Sequence, residues 1–195
     1  MSRGNNGGTI VWDAIDRHLF RLRLADIATR HAWEVLAWCL MRTHVHAVLR
    51  APEGGISAGM QDLIGGHART MNYRHGRTGH LFQNRFFNVE VATDAHLISS
   101  IAYVNRNPVA AYVVERPEDW RDSSYRATIG LERPPAWLAL EEVLGLFGRT
   151  AGSARAELEA VVLSGRVPVS DTIEAVRRFE TRGLSAEEIA YARAA

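Results

Sequence analysis

Two seven-residue runs, Glu34–Leu40 and His44–Arg50, stand three residues apart, and this spacing constrains the 195-residue chain more than any other feature. The first run is almost wholly apolar and the second alternates, as a half-buried strand does. A connection as short as Met41-Arg42-Thr43 joins only antiparallel neighbours. The pair therefore reads as a hairpin, ended by Pro52, Gly54 and Gly55. Helical patterns flank it. Asp13 to His31 places Ile15, Leu19, Leu22 and Ile27 along one side, and Ser57 to Tyr73 carries Met60, Leu63, Ile64 and Met71, with a glycine pair at 65 and 66. Phe86 to Val91 reads as a further strand. A helix capped by Thr93 or Asp94 then runs to about Arg106, and Asn107-Pro108 is expected to end it, because a residue before proline is pushed out of the helical region. Helices mixed with a small antiparallel sheet give an α+β plan for residues 1–130. Beyond the Pro134-Pro135 boundary, helical patterns at 137–148, 151–164 and 170–194 make residues 131–195 an all-helical extension.

Composition removes several alternatives. With 47% hydrophobic and 23% charged residues the chain is neither disordered nor fibrous, and its single cysteine, Cys39, allows no internal disulfide. Cys39 has no partner at zinc-ligand spacing and reads as a small buried strand residue. No apolar run approaches the roughly 18 residues of a membrane span, and Met1–Gly8 lacks the apolar core of a signal peptide, so a cytoplasmic location is expected. All 23 basic residues are arginine. Residues 1–130 carry 15 arginines against 12 acids, and residues 131–195 carry 8 against 10. From Leu63 to Val89 there are four arginines, Arg69, Arg74, Arg77 and Arg85, and no acid. Arginine forks suit phosphate.

Three constellations could carry chemistry. His44 and His46 are two apart in a strand, so their imidazoles share a face at a spacing suited to one metal ion, while Val45, Ala47 and Leu49 face the other way into a core. Tyr103 and Asn107 are four apart on a helix whose apolar stripe is Leu97, Ile101 and Val104. Tyr103 falls off that stripe, beside His96, Ser100 and Asn107, where a tyrosine is either a surface residue or a nucleophile. Tyr73 to Arg85 interleaves arginine, His75, His80 and aromatics with glycines, a composition suited to gripping phosphates and stacking on unpaired bases.

Taken in order, these stretches resemble the single-tyrosine HUH transposases that act on single-stranded DNA, in particular the branch of REP-associated tyrosine transposases. The likeness rests on Cys39 to His46, Tyr73 to Phe86, Ala102 to Ala111 and Pro117 to Tyr125, which are collinear and lie within about residues 3–130. It implies a ferredoxin-like antiparallel sheet with helices on one face. It implies that His44, His46 and Asn107 hold Mg²⁺ or Mn²⁺, that Tyr103 is the nucleophile forming a 5′-phosphotyrosine, and that Arg69, Arg74, Arg77, His80 and Arg85 grip DNA. The implied partner is single-stranded or hairpin DNA, bound by a monomer or homodimer. In relatives Arg-Gly-Asn-Asn follows a first strand, whereas here Arg3-Gly4-Asn5-Asn6 directly follows Met1-Ser2, so that strand is expected to be missing. Its loss would favour a second class of function, a domesticated or decayed hairpin-binding protein without catalysis. A third class, a hydrolase of small phosphoesters, would need a further acid or base beside the histidines, and none has clear spacing.

Overall fold

In the computed structural model, which describes residues 1–165 together with Glu174 and Val176, the hairpin forms as its spacing requires. Strand β2 (Glu34–Leu40) pairs antiparallel with β3 (His44–Arg50), from Glu34 opposite Arg50 to Leu40 opposite Val45, with a bulge between Val35 and Ala37. The Met41 N–H donates to the His44 carbonyl at 2.8 Å and closes the turn. The expected loss of the first strand is corrected in part. Ser2–Arg3 forms a two-residue strand, β1, opposite Val45 and His44, so the sheet order is β1-β3-β2 and β3 is central. The expected strand at 86–91 is absent. Phe87 instead exchanges two backbone hydrogen bonds with Met1, at 2.8 and 2.9 Å. A two-residue β1 offers too little edge to support a longer ladder there.

Helix α1 (Ala14–Arg30) begins where the Asp13 carboxylate accepts the Asp16 N–H. Its buried face is Phe20, Leu24, Ile27 and Ala28 together with Asp16, whereas Ile15 and Leu22 are 56% and 54% exposed. The inward stripe is thus rotated from the one expected, because a charged residue belongs to it. Helix α2 (Ile56–Arg74) packs beside α1. Its glycines are close-approach points: a Cβ on Gly59 would overlap the Trp33 indole, and one on Gly66 the Arg23 guanidinium. These two helices cover one face of the sheet, where Phe20, Leu24, Met60 and Leu63 pack with Val35, Trp38, Leu40 and Val45.

The other face is covered too, which corrects the expectation of helices on one face only. Helix α3 (Asp94–Ala110) lays Ile101, Ala102 and Val104 against Ala37, Cys39 and Val48. Both alternating sets of β3 are therefore buried: Val45 on one side, His46 and Val48 on the other. The same core continues into α4 (Tyr125–Ile129), α5 (Leu140–Phe147) and α6 (Ala151–Ser164) through Tyr125, Val143, Phe147, Ala154, Leu158 and Val162. Residues 117–125, part of the resemblance, lie against the outer edge of β2. The Leu40 N–H donates to Asp122, the Ser124 N–H to the Trp38 carbonyl, and the Ser124 hydroxyl to Asn105 of α3. The helix expected at 170–194, and with it the Gly183–Ala190 stretch, lies outside the described residues, apart from Glu174 and Val176, which are helical.

Helix α3 does not end at Asn107-Pro108 but runs on to Ala110. Proline removes the N–H that would reach the Val104 carbonyl, a single lost bond near the helix end. The Ala111 N–H donates to the Asn107 carbonyl at 2.9 Å and closes the last turn. This holds Asn107 in helical geometry, one turn after Tyr103.

Candidate active site

His44 and His46 face α3, and α3 answers with Asn107. Helix and strand bring the polar side chains together because β3 alternates and α3 turns every 3.6 residues. His44 Nε2 donates to Asn107 Oδ1 at 3.0 Å, and Asn107 Nδ2 donates to His46 Nε2 at 3.3 Å. The amide thus bridges the two imidazoles in the orientation that gives each ring a partner. On the far side of His44, the Thr43 hydroxyl meets Nδ1 at 3.0 Å. The rings of His44 and His46 stand edge to face with centroids 5.0 Å apart, and the Tyr103 ring stands edge to face with His46 at 5.6 Å. His46 and Asn107 are buried; His44 and Tyr103 are half-buried. All four residues expected to form the site are in one place. With Ser100, His46 and Tyr103 also border a cavity of about 730 Å³ that opens along β3.

Among the described residues no group of three or more His, Cys, Asp or Glu could hold a metal ion. The donor set here is different: two imidazole nitrogens and one amide oxygen, all neutral. Such donors fit a divalent cation that keeps open positions for the oxygens of a phosphate. The Cys39 thiol is fully buried, and burial pushes its pKa up, so it supplies neither ligand nor nucleophile.

The expected DNA-gripping residues are distributed differently. Arg69 is exposed on α2. Arg77, His80 and Arg85 are exposed on the loop after α2, and that loop is tied to the N-terminal segment by Asn5 N–H to Leu81 and Gln83 N–H to Arg3. Gly4 in turn donates to Thr43, so the loop borders the end of the hairpin that carries His44. Arg74 is not displayed in the same way. It is ion-paired with Asp13 at 2.8 Å and with the buried Asp16. The Asp13 carboxyl, held by Arg74 and by the Asp16 N–H, is lowered to about 2. Asp16 is pushed up by burial, but the Trp12 N–H, His75 and Arg74 outweigh that and hold it below the ordinary range. Sequence reasoning missed Asp16 and Thr43. An acid on the inward face of an amphipathic helix was the one available signal for Asp16; Thr43 carried none.

The family described as Transposase IS200 like matches residues 10–107, half of the chain. The chain belongs to that family. The matched region runs from the segment before α1 to Asn107 itself, and so includes all four residues of the site. No curated protein and no solved structure matches the chain. Membership in the IS200-like transposases implies transposase activity on DNA, and transposases of this family are generally metal-dependent. Among the described residues no helix is long and apolar enough to cross a membrane.

Proposed function

We propose that this IS200-like transposase cleaves and rejoins single-stranded DNA through a 5′-phosphotyrosine on Tyr103, with Mg²⁺ or Mn²⁺ held by His44, His46 and Asn107. The observation that carries the reading is the convergence of a tyrosine ring, two imidazoles and one amide at the contact of β3 with α3. The bound cation would polarise the scissile phosphate and offset the charge of its transition state. Tyr103 attacks phosphorus through its phenolic oxygen. The P–O3′ bond breaks, the tyrosine is joined to the 5′-phosphate, and the phenolic proton is balanced by protonation of the departing 3′ oxygen. The ester keeps the energy of the phosphodiester, so a 3′-OH can reverse the step and join a new end. Thr43 has a place in this chemistry. Its hydroxyl can donate to or accept from His44 Nδ1, so His44 can present a bare Nε2 to a cation without losing its partner.

Residues 1–130 act on DNA in this reading, and beyond them α6 braces α3 through Ala154, Leu158 and Val162. Arg69, Arg77, His80 and Arg85 hold the DNA backbone, while Arg74 shapes their loop. The substrate is a hairpin with a single-stranded flank, as in the REP-associated branch, acted on in the cytoplasm by a monomer or homodimer.

The test is a denaturing gel of purified protein with labelled single-stranded DNA carrying the hairpins that flank the gene. A covalent adduct that requires Mn²⁺ and disappears in Tyr103→Phe is expected, a loss of at least about a thousandfold for removal of a nucleophile. Cleavage that survives Tyr103→Phe would assign attack to water instead. Hairpin binding without any adduct would make the protein a DNA-binding relic.

A further inference from the structure

A second aromatic cluster lies apart from the tyrosine site. The Ile10 N–H donates to the Arg42 carbonyl at 2.8 Å, which fixes the Ile10–Trp12 segment beside the hairpin turn, two residues from His44. The Trp12 N–H donates to Asp16 Oδ2 at 2.7 Å. The same carboxylate, 0% exposed, accepts from His75 Nε2 at 2.9 Å and is paired with Arg74. The His75 ring lies against the Trp12 indole, with centroids 4.5 Å apart. Arg77, exposed, sits over the indole at 5.1 Å. Trp12 itself remains 38% exposed, and Tyr73, 90% exposed near the end of α2, adds a further aromatic surface.

Trp12 is thus partly open to solvent while its backbone N–H is fixed. Its backbone N–H, the neighbouring His75 imidazole and Arg74 all meet one buried carboxylate, Asp16. Arg77 has no acid partner among the ion pairs of the described residues. A cation over an exposed ring is weakly held, and a stacked base is held more strongly. A base on Trp12 would therefore displace the guanidinium to the adjoining phosphate.

We propose that Trp12 and Arg77 form a binding site for one unpaired nucleotide, in which the indole stacks the base and Arg77 takes its phosphate. The Ile10 to Arg42 hydrogen bond ties the segment carrying Trp12 to the turn that precedes His44. The proposal rests on the DNA-acting reading and adds to it a specific preference for unpaired bases at this point.

The test measures binding of a labelled hairpin with a single-stranded tail, in EDTA so that no chemistry intervenes. Trp12→Ala is expected to weaken binding about fivefold or more, with Trp12→Phe close to wild type. An abasic tail should erase the difference between wild type and Trp12→Ala. Arg77→Gln should weaken binding and lower the salt slope by about one. Equal melting temperatures for the variants would exclude a folding defect. If Trp12→Ala destabilises the protein, quenching of Trp12 by the tail, read as the fluorescence difference between wild type and Trp12→Phe, decides the matter. Unchanged affinity of Trp12→Ala, or an equal loss on a blunt duplex, would overturn the proposal. It would leave the Tyr103 adduct as a separate result. Failure of the wild type to bind any DNA would sink both readings.

Discussion

Two histidine clusters border the same end of the hairpin and are organised in opposite ways. In one, His44, His46 and Asn107 satisfy each other through neutral donors and acceptors. In the other, His75 meets a buried carboxylate that is already paired with Arg74 and capped by a backbone N–H. The first offers imidazole and amide donors with no carboxylate among them, and in the proposed reading it receives a cation and an anionic phosphate together. The second is electrostatically complete and has nothing left to give a metal. Its surplus is outside, in Arg77 and Trp12. The difference separates the proposed reaction centre from a fastening that shapes a surface, although both contain histidine.

The largest effect should come from breaking the fastening. Asp16→Ala removes a fully buried charge and leaves Arg74 and His75 facing each other across the gap. Loss of one partner of a buried ion pair costs roughly 3–5 kcal/mol. A fall of that size in denaturant unfolding is expected, with metal binding per folded molecule unchanged. If Asp16→Ala instead abolished metal binding in protein that remained folded, the two clusters would be one site.

A somewhat smaller effect should appear with pH. His67 lies beneath the same segment; its Nε2 donates to the Ile10 carbonyl at 2.8 Å, and burial is the main cause of its pKa falling to about 4. The unfolded chain takes up this proton near pH 6.5 and the folded chain only near 4. Between these values the unfolded state holds more protons, so stability is full above about pH 6.5 and falls as pH drops toward 4. The loss should be about 3 kcal/mol. His67→Gln keeps a donor for Ile10 without titrating and should flatten unfolding profiles across that window. Below it, the lowered Asp13 and Asp16 take over, with stability again lost as pH falls below the unfolded carboxylate range.

Much of the site was legible in the sequence because it follows from two periodicities. Residues two apart on a strand and four apart on a helix share a face whatever surrounds them, so His44 with His46 and Tyr103 with Asn107 could be paired from spacing alone. What could not be read was the environment that long-range contacts supply. Asp16 looks like a surface acid until Trp12, Arg74 and His75 arrive from sixty residues away or from the preceding turn. Arg74 looks like a phosphate ligand for the same reason. Proline 108 looked like a helix end because the local bias at Asn107 is real, yet packing of α3 on the sheet outweighs one missing hydrogen bond. The covering of the second sheet face came from α3, whose helix was legible but whose docking onto Ala37, Cys39 and Val48 was not.

The sharpest comparison of the two clusters converts one toward the other. Asn107→Ala removes the bridge between the imidazoles from a buried position and should weaken divalent-ion binding about 10- to 100-fold, while costing only about 1 kcal/mol of stability for hydrogen bonds that the rings can partly remake. Asn107→Asp should do the reverse for the metal. A carboxylate there adds a full negative charge to a neutral donor set, and Mn²⁺ affinity, measured by calorimetry, should rise about tenfold. The same charge faces the incoming phosphate, so the yield of the Tyr103 adduct should fall even as the cation binds more tightly. Parallel loss of both would mean that the aspartate disrupts the fold of the site. Parallel gain would mean that the metal, and not the phosphate, limits the reaction, and that neutrality at residue 107 serves no purpose in handling the substrate.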